Sequence, residues 1–319
     1  MKTFLSLLLI FALGQSAISQ AAEQSSIRVG ALAQGTLSWE LAAIHLQQID
    51  QRNGIILENQ VLASPDAGRI ALQGDTVDVI VTDWIWVAQQ RLQGQDFQFV
   101  PFSNLHGALI APKGSSIHSI ADLKGKRIGV AGGGLDKNWI LLKAAARKSA
   151  GLDLDKEATV NFAAPPLISE SLKQGQVDVI LTYWNQAAKL EAKGYVKIMD
   201  GAAIQRVLGI RSQIPTLGYV FRKAFIAQHP ERVRGFLEST QQAGEAICSS
   251  DSLWTALAET VQEPDRAASN ELRSLYCKGR ARQLSQEDLE SAKTIFQLVN
   301  EANGTASPLP LDIFSQGKP

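Results

Sequence analysis

"VDVIVTDW" at Val77–Trp84 returns one hundred residues later as "VDVILTYW" at Val177–Trp184, identical at six of eight positions. Each copy is a continuous apolar run closed by polar residues, the pattern of a strand buried on both faces of a sheet. Upstream of the first copy, "IRVGAL" is a short β-branched run. "GTLSWELAAIHLQQID" follows with apolar residues at Leu37, Leu41 and Ile44, and "RIALQG" leads into the repeated phrase. The period changes from that of a strand to that of a helix, as a β-α unit requires.

The pattern then restarts. "ADLKGKRIGVAGGG" supplies a strand and a glycine loop, "LDKNWILLKAAARKSAG" a helix, "ATVNFA" a strand and "PLISESLKQG" a helix before the second copy. Superposing the halves puts Trp39 on Trp139, Trp84 on Trp184, Asp78 on Asp178, Thr82 on Thr182 and Gly94 on Gly194. With a one-residue offset, Arg28 falls on Arg127. A period near one hundred residues is too long for a solenoid. It predicts two similar α/β lobes, each a mostly parallel sheet flanked by helices. Asp78 and Asp178 read as turn or cap residues at the strand starts. A third section begins with the strand-like "PTLGYVFRK" and turns helical at Pro230. Ser285 and Asp288 stand in capping-box spacing before the last helix.

The chain has 319 residues, 45% of them hydrophobic, with 31 basic and 31 acidic side chains. The absence of net charge removes the electrostatic reason to expect a nucleic acid or an anionic membrane as partner. "MKTFLSLLLIFALGQSAISQAA" has a lysine, an apolar run and then small residues, the order of a secretory signal peptide with cleavage near residues 19–22. The mature protein is therefore expected in the periplasm. Cys248 and Cys277 are the only cysteines, and an even count in an exported chain favours a disulfide over two buried thiols. The four histidines have no metal-site spacing, and no Gly-x-Ser-x-Gly elbow occurs. No metal, cofactor or catalytic residue is expected.

"ALQGDTVDVIV", "GALIAPKGSSIHSIADLKGKRIGV", "SLKQGQVDVIL" and "LGYVFRKAFIAQHPERVRGFL" together resemble periplasmic solute-binding proteins of ABC importers, in the NMT1/THI5-like branch that takes taurine, alkanesulfonates and thiamine precursors. The likeness runs in order from residue 27 to about 240. It implies a type II periplasmic-binding-protein clamshell, with residues 1–21 a signal peptide and 22–107 the first part of lobe 1. Residues 108–214 would form lobe 2, and 215–319 the return strand and C-terminal helices completing lobe 1. It further implies a monomer that closes on a small-molecule solute and delivers it to an ABC permease in the inner membrane. Two other classes stay open: a ligand-sensing module for a membrane sensor or oxidoreductase system, and a biosynthetic enzyme of the same fold, such as a thiamine-pyrimidine synthase.

In open α/β sheets ligands gather beyond the carboxyl ends of the strands, where helix N-termini point. Four loops qualify. The first offers Gln34, Thr36 and Ser38 at a helix start, where Thr36 or Ser38 can equally act as a cap. The triple-glycine loop offers Gly133 and Gly134, followed by Lys137 and Asn138. Asp83 and Tyr183 hold equivalent places in the two repeats and are the expected pair facing each other, although Asp83 can also cap the helix that follows it. Trp39, Trp84, Trp139 and Trp184 either wall the ligand or pack their helices onto the sheets, with one or two of them expected at the cleft.

Overall fold

The computed structural model describes residues 26–314 apart from Arg211, Gln213 and Asn303. The expected signal peptide lies outside the described residues. Ten strands are described: β1 (Ser26–Leu32), β2 (Ile56–Leu62), β3 (Val79–Asp83), β4 (Phe97–Ser103), β5 (Ala108–Ala111), β6 (Arg127–Ala131), β7 (Thr159–Ala163), β8 (Val179–Thr182), β9 (Val196–Asp200) and β10 (Leu217–Arg222). They form two five-stranded sheets, ordered β2-β1-β3-β10-β4 and β7-β6-β8-β5-β9.

The two orders are one topology used twice. β1, β2 and β3 pair in parallel, as do β6, β7 and β8. The single antiparallel member is β10 in the first sheet and β5 in the second. β5 follows directly after β4 of the other sheet, and β10 returns from the second sheet to the first, so the strands cross between the lobes twice.

The repeated phrase forms β3 and β8 at the centres of their sheets. Val77, Val79 and Ile80, and likewise Val177, Val179 and Ile180, are at most 2% exposed. Asp78 and Asp178 perform the same task at the start of each strand. Each accepts from the backbone N–H of its arginine, Arg28 or Arg127, at 2.8 Å, and returns its own N–H to that arginine's carbonyl at 2.8 Å. The arginine side chains close the ion pairs. Gly30 and Gly129 permit the close approach that follows: a Cβ at Gly30 would lie 2.9 Å from Leu62, and one at Gly129 would lie 3.1 Å from Ile168 and Ile180.

The helices Leu37–Gln47, Pro65–Gln73 and Trp84–Leu92 flank the first sheet, and Lys137–Ala150, Pro165–Lys173 and Trp184–Glu191 the second. Pro230–Ser249 buries Val233, Phe236, Thr240 and Ile247. Its end is joined to the helix Arg266–Lys278 by the Cys248–Cys277 disulfide, with Cα atoms 5.8 Å apart. The last helix, Gln286–Ala302, opens on the Ser285–Asp288 capping box and rests against Lys137–Ala150. Phe314 then returns to bridge Phe99 on β4. β2 and β9 are strands that periodicity misses. Both lie at sheet edges: in "ILENQVL" only Leu62 is buried, and in "VKIMD" no residue is.

Candidate functional site

The tips of β1, β3, β6 and β8 meet where the lobes face one another, and the loops that follow them supply the polar groups there. From the first loop, Gln34 bridges the lobes. Its carbonyl accepts from Asn185 Nδ2 at 3.0 Å, and its side-chain oxygen accepts from Gln186 Nε2 at 3.3 Å. Ser38 turns inward and donates to the Leu32 carbonyl at 2.5 Å, closing its own loop. Thr36 holds the N-cap position without a side-chain cap bond.

Asp83 does two things. Oδ1 accepts from the Trp86 N–H at 2.9 Å, capping the helix Trp84–Leu92, and Oδ2 accepts from Arg69 at 2.8 Å. Arg69 also donates to Thr82 Oγ1 at 3.3 Å and Asp66 Oδ1 at 3.1 Å, and its guanidinium lies 5.5 Å from the Trp86 ring centroid. Across the cleft, the Tyr183 hydroxyl fits against Gly132, where a Cβ would stand only 2.9 Å away. Gly132 has φ +90°, a conformation that favours glycine. Burial pushes the Tyr183 hydroxyl up, and the nearby Asp136, Asp83 and Asp66 add to this while Arg69 opposes it. The two members of the expected pair therefore belong to one cluster. The Gly133 and Gly134 positions have only ordinary contacts, a Cβ there lying 3.9 Å from Asp66 and 3.7 Å from Phe162.

Asp136 caps the helix Lys137–Ala150, accepting from the Asn138 N–H at 2.8 Å and from its side-chain amide at 3.0 Å. Buried Asn138 in turn accepts from the Gly107 N–H at 3.4 Å. That bond ties the glycine loop to the first crossing between lobes. The second crossing is held against the first: Thr216 N–H donates to the Ser103 carbonyl at 2.8 Å, and its hydroxyl lies 3.0 Å from His106 Nδ1. Burial, with the Lys137 charge adding and Asp200 opposing, pushes the His106 imidazole down to about 4.

The tryptophans divide. Trp39, Trp84 and Trp139 are at most 2% exposed and pack inside the protein, Trp84 against Phe314 and Trp139 edge-on to Phe162. Trp184 is half-buried and meets Trp39 of the other lobe edge-on at 5.9 Å. Arg69, Asn185 and Gln186 were not singled out from the sequence. Asn185 and Gln186 directly follow the repeated phrase, and that position was the available signal. Arg69 sits in the helix before β3 and carried none. Away from this site, a groove of about 1050 Å³ lies in the first lobe between β4 and Pro230–Ser249.

The model of the NMT1/THI5-like family matches residues 71–250, more than half of the chain, and the chain belongs to that family. A search of the curated proteins finds no relative. Among solved structures, the chain is similar to the alkanesulfonate-binding protein SsuA from Xanthomonas axonopodis pv. citri bound to MOPS. The identity is 17%, with 91% of this chain and 98% of that one covered, at a TM-score of 0.74. The periplasmic aliphatic sulphonate binding protein SsuA from Escherichia coli shares 17% identity over 92% of this chain and 95% of its own, at a TM-score of 0.69. The desulfurization enzyme DSZB shares 15% identity over 90% and 95%, at a TM-score of 0.59. At such identities the likeness establishes the two-lobed fold, which binding proteins and an enzyme both use.

Proposed function

We propose that this NMT1/THI5-like chain is an extracytoplasmic solute-binding protein that captures a small organic solute between its lobes and delivers it to an ABC-type permease. The observation that carries this reading is the interlobe site. Strand tips of a duplicated sheet face each other across polar groups, Gln34, Arg69 and Asp83 on one side and Asn138, Tyr183, Asn185 and Gln186 on the other. The β4–β5 and β9–β10 crossings and the last helix, which leans on Lys137–Ala150, join the lobes, and a hinge motion about these links opens and shuts the gap. A solute touching both lobes favours the closed form by its differential affinity for that form. The leader-like N-terminus and the Cys248–Cys277 bridge fit an oxidising compartment outside the cytoplasm. A micromolar Kd, about 8 kcal/mol of binding, suits nutrient capture.

The test is a thermal-shift screen against sulfonates, amines, pyrimidines and metal chelates, followed by small-angle scattering on the hits. A hit should contract the particle, and Tyr183→Ala should weaken it. A panel without hits, or a hit that binds with no contraction and is indifferent to Tyr183→Ala, refutes the reading.

A further inference from the structure

The duplicated architecture lets one lobe be compared with the other position by position, and the comparison bears on the charge of the solute. The helices Pro65–Gln73 and Pro165–Lys173 are equivalent, each preceding its copy of the repeated strand. In the first lobe Arg69 lies over the strand tip, bridging Thr82 and Asp83. The equivalent position in the second lobe holds Ser169, which turns back to the Pro165 carbonyl of its own helix at 2.9 Å. Thr182, the counterpart of Thr82, is 1% exposed, and its Oγ1 has no hydrogen-bond partner among the described residues. Tyr183 replaces Asp83. One lobe thus carries its own N–H cation on this tip, and the other leaves a buried hydroxyl without a partner there.

The charges agree with that asymmetry. Arg69 is the one cation among the charged groups that act on the Tyr183 hydroxyl, against three carboxylates, Asp66, Asp83 and Asp136. Three of its five N–H donors go to Thr82, Asp66 and Asp83. An entering sulfonate would find only the two remaining N–H groups of Arg69, beside the carboxylates that already neutralise it. An ammonium or other N–H-rich group meets acceptors instead.

We propose that the interlobe site is built for a solute that presents an ammonium group or several N–H donors, and that it discriminates against alkanesulfonates. The inference rests on the receptor reading above and adds the chemical class of the ligand. The solute's N–H group takes, on the second lobe, the place that Arg69 takes on the first, with Thr182 and the flanking carboxylates as acceptors.

Calorimetry with butylammonium, butanesulfonate and MOPS on the full chain, with scattering to follow closure, tests it. Butylammonium should bind at least tenfold more tightly than butanesulfonate or MOPS. Asp66→Asn, at an exposed carboxylate whose loss leaves the fold intact, should narrow that ratio by about threefold or more, and Asp83→Asn, which keeps a capping oxygen, should narrow it further. Tighter binding of either sulfonate with loss on Arg69→Gln overturns the charge assignment and leaves the receptor reading standing, as does equal affinity for the probes. Failure of all three probes to close the lobes, where a neutral member of the wider panel does so, also overturns it. If nothing in the wider panel closes the lobes, the receptor reading falls and this inference falls with it.

Discussion

Replacing Glu40 by glutamine should change how stability depends on pH by an amount the structure sets. Glu40 lies one residue beyond Trp39 in the helix Leu37–Gln47 and is 2% exposed. One carboxylate oxygen accepts from the Tyr276 hydroxyl, and the other from the Tyr219 hydroxyl at 2.6 Å. Burial pushes the carboxyl up from 4.5 to about 7, against the opposing effects of the two tyrosine bonds and Arg280. At about 1.4 kcal/mol for each tenfold change in proton affinity, that rise is worth about 3 kcal/mol. The folded protein keeps a proton here that the unfolded chain has lost. The stabilisation is therefore complete below pH 4.5 and disappears as the pH rises through about 7. His106, pushed down from 6.5 to about 4, has the opposite sign: its contribution is present above pH 6.5 and is lost as the pH falls through about 4. The two slopes oppose each other where they overlap, and these two groups leave the native chain nearly level there. Urea unfolding followed by tryptophan fluorescence at half-unit pH steps reads the difference between Glu40→Gln and the native chain. That difference should climb in the variant's favour by about 3 kcal/mol between pH 4.5 and 7. A difference that stays constant over this window would refute the reasoning.

Asp83→Ala removes a helix cap and one partner of a half-buried arginine, so it should destabilise the ligand-free protein by about 2–3 kcal/mol in chemical denaturation, whereas Asp83→Asn should recover about 1 kcal/mol of that through the cap. Reduction and alkylation of Cys248 and Cys277, 29 residues apart, should lower stability by about 3–4 kcal/mol in the same assay; a change under about 1 kcal/mol contradicts the loop-entropy argument. Trp184→Ala deletes the edge-on contact with Trp39, worth about 1 kcal/mol, and should shift the ligand-free lobes toward the open form, seen as a larger radius of gyration. An unchanged radius refutes that role.

Much of the architecture was legible without coordinates because burial on both faces of a sheet leaves a dense apolar signature. Val77–Thr82 and Val177–Thr182 could be recognised as strands, and their spacing exposed the duplication, since the same contacts with Arg28 and Arg127 demand aspartate at the same place twice. The loops after the strands were legible too, because the carboxyl ends of parallel strands gather at one edge. The polar edge strand β2 was not, since a strand with one buried residue has no apolar period to read. Arg69 was equally hidden. An arginine on a short helix resembles a solvated one until folding brings that helix over Thr82 and Asp83. The sequence by itself determined the repeated unit, the strands at the sheet centres and the loops that follow those strands. Only the tertiary structure decided which side chains in those loops keep free polar groups, because hydrogen bonds between residues far apart in the chain, such as Asn185 to Gln34 and Asn138 to Gly107, depend on distances that no local pattern encodes.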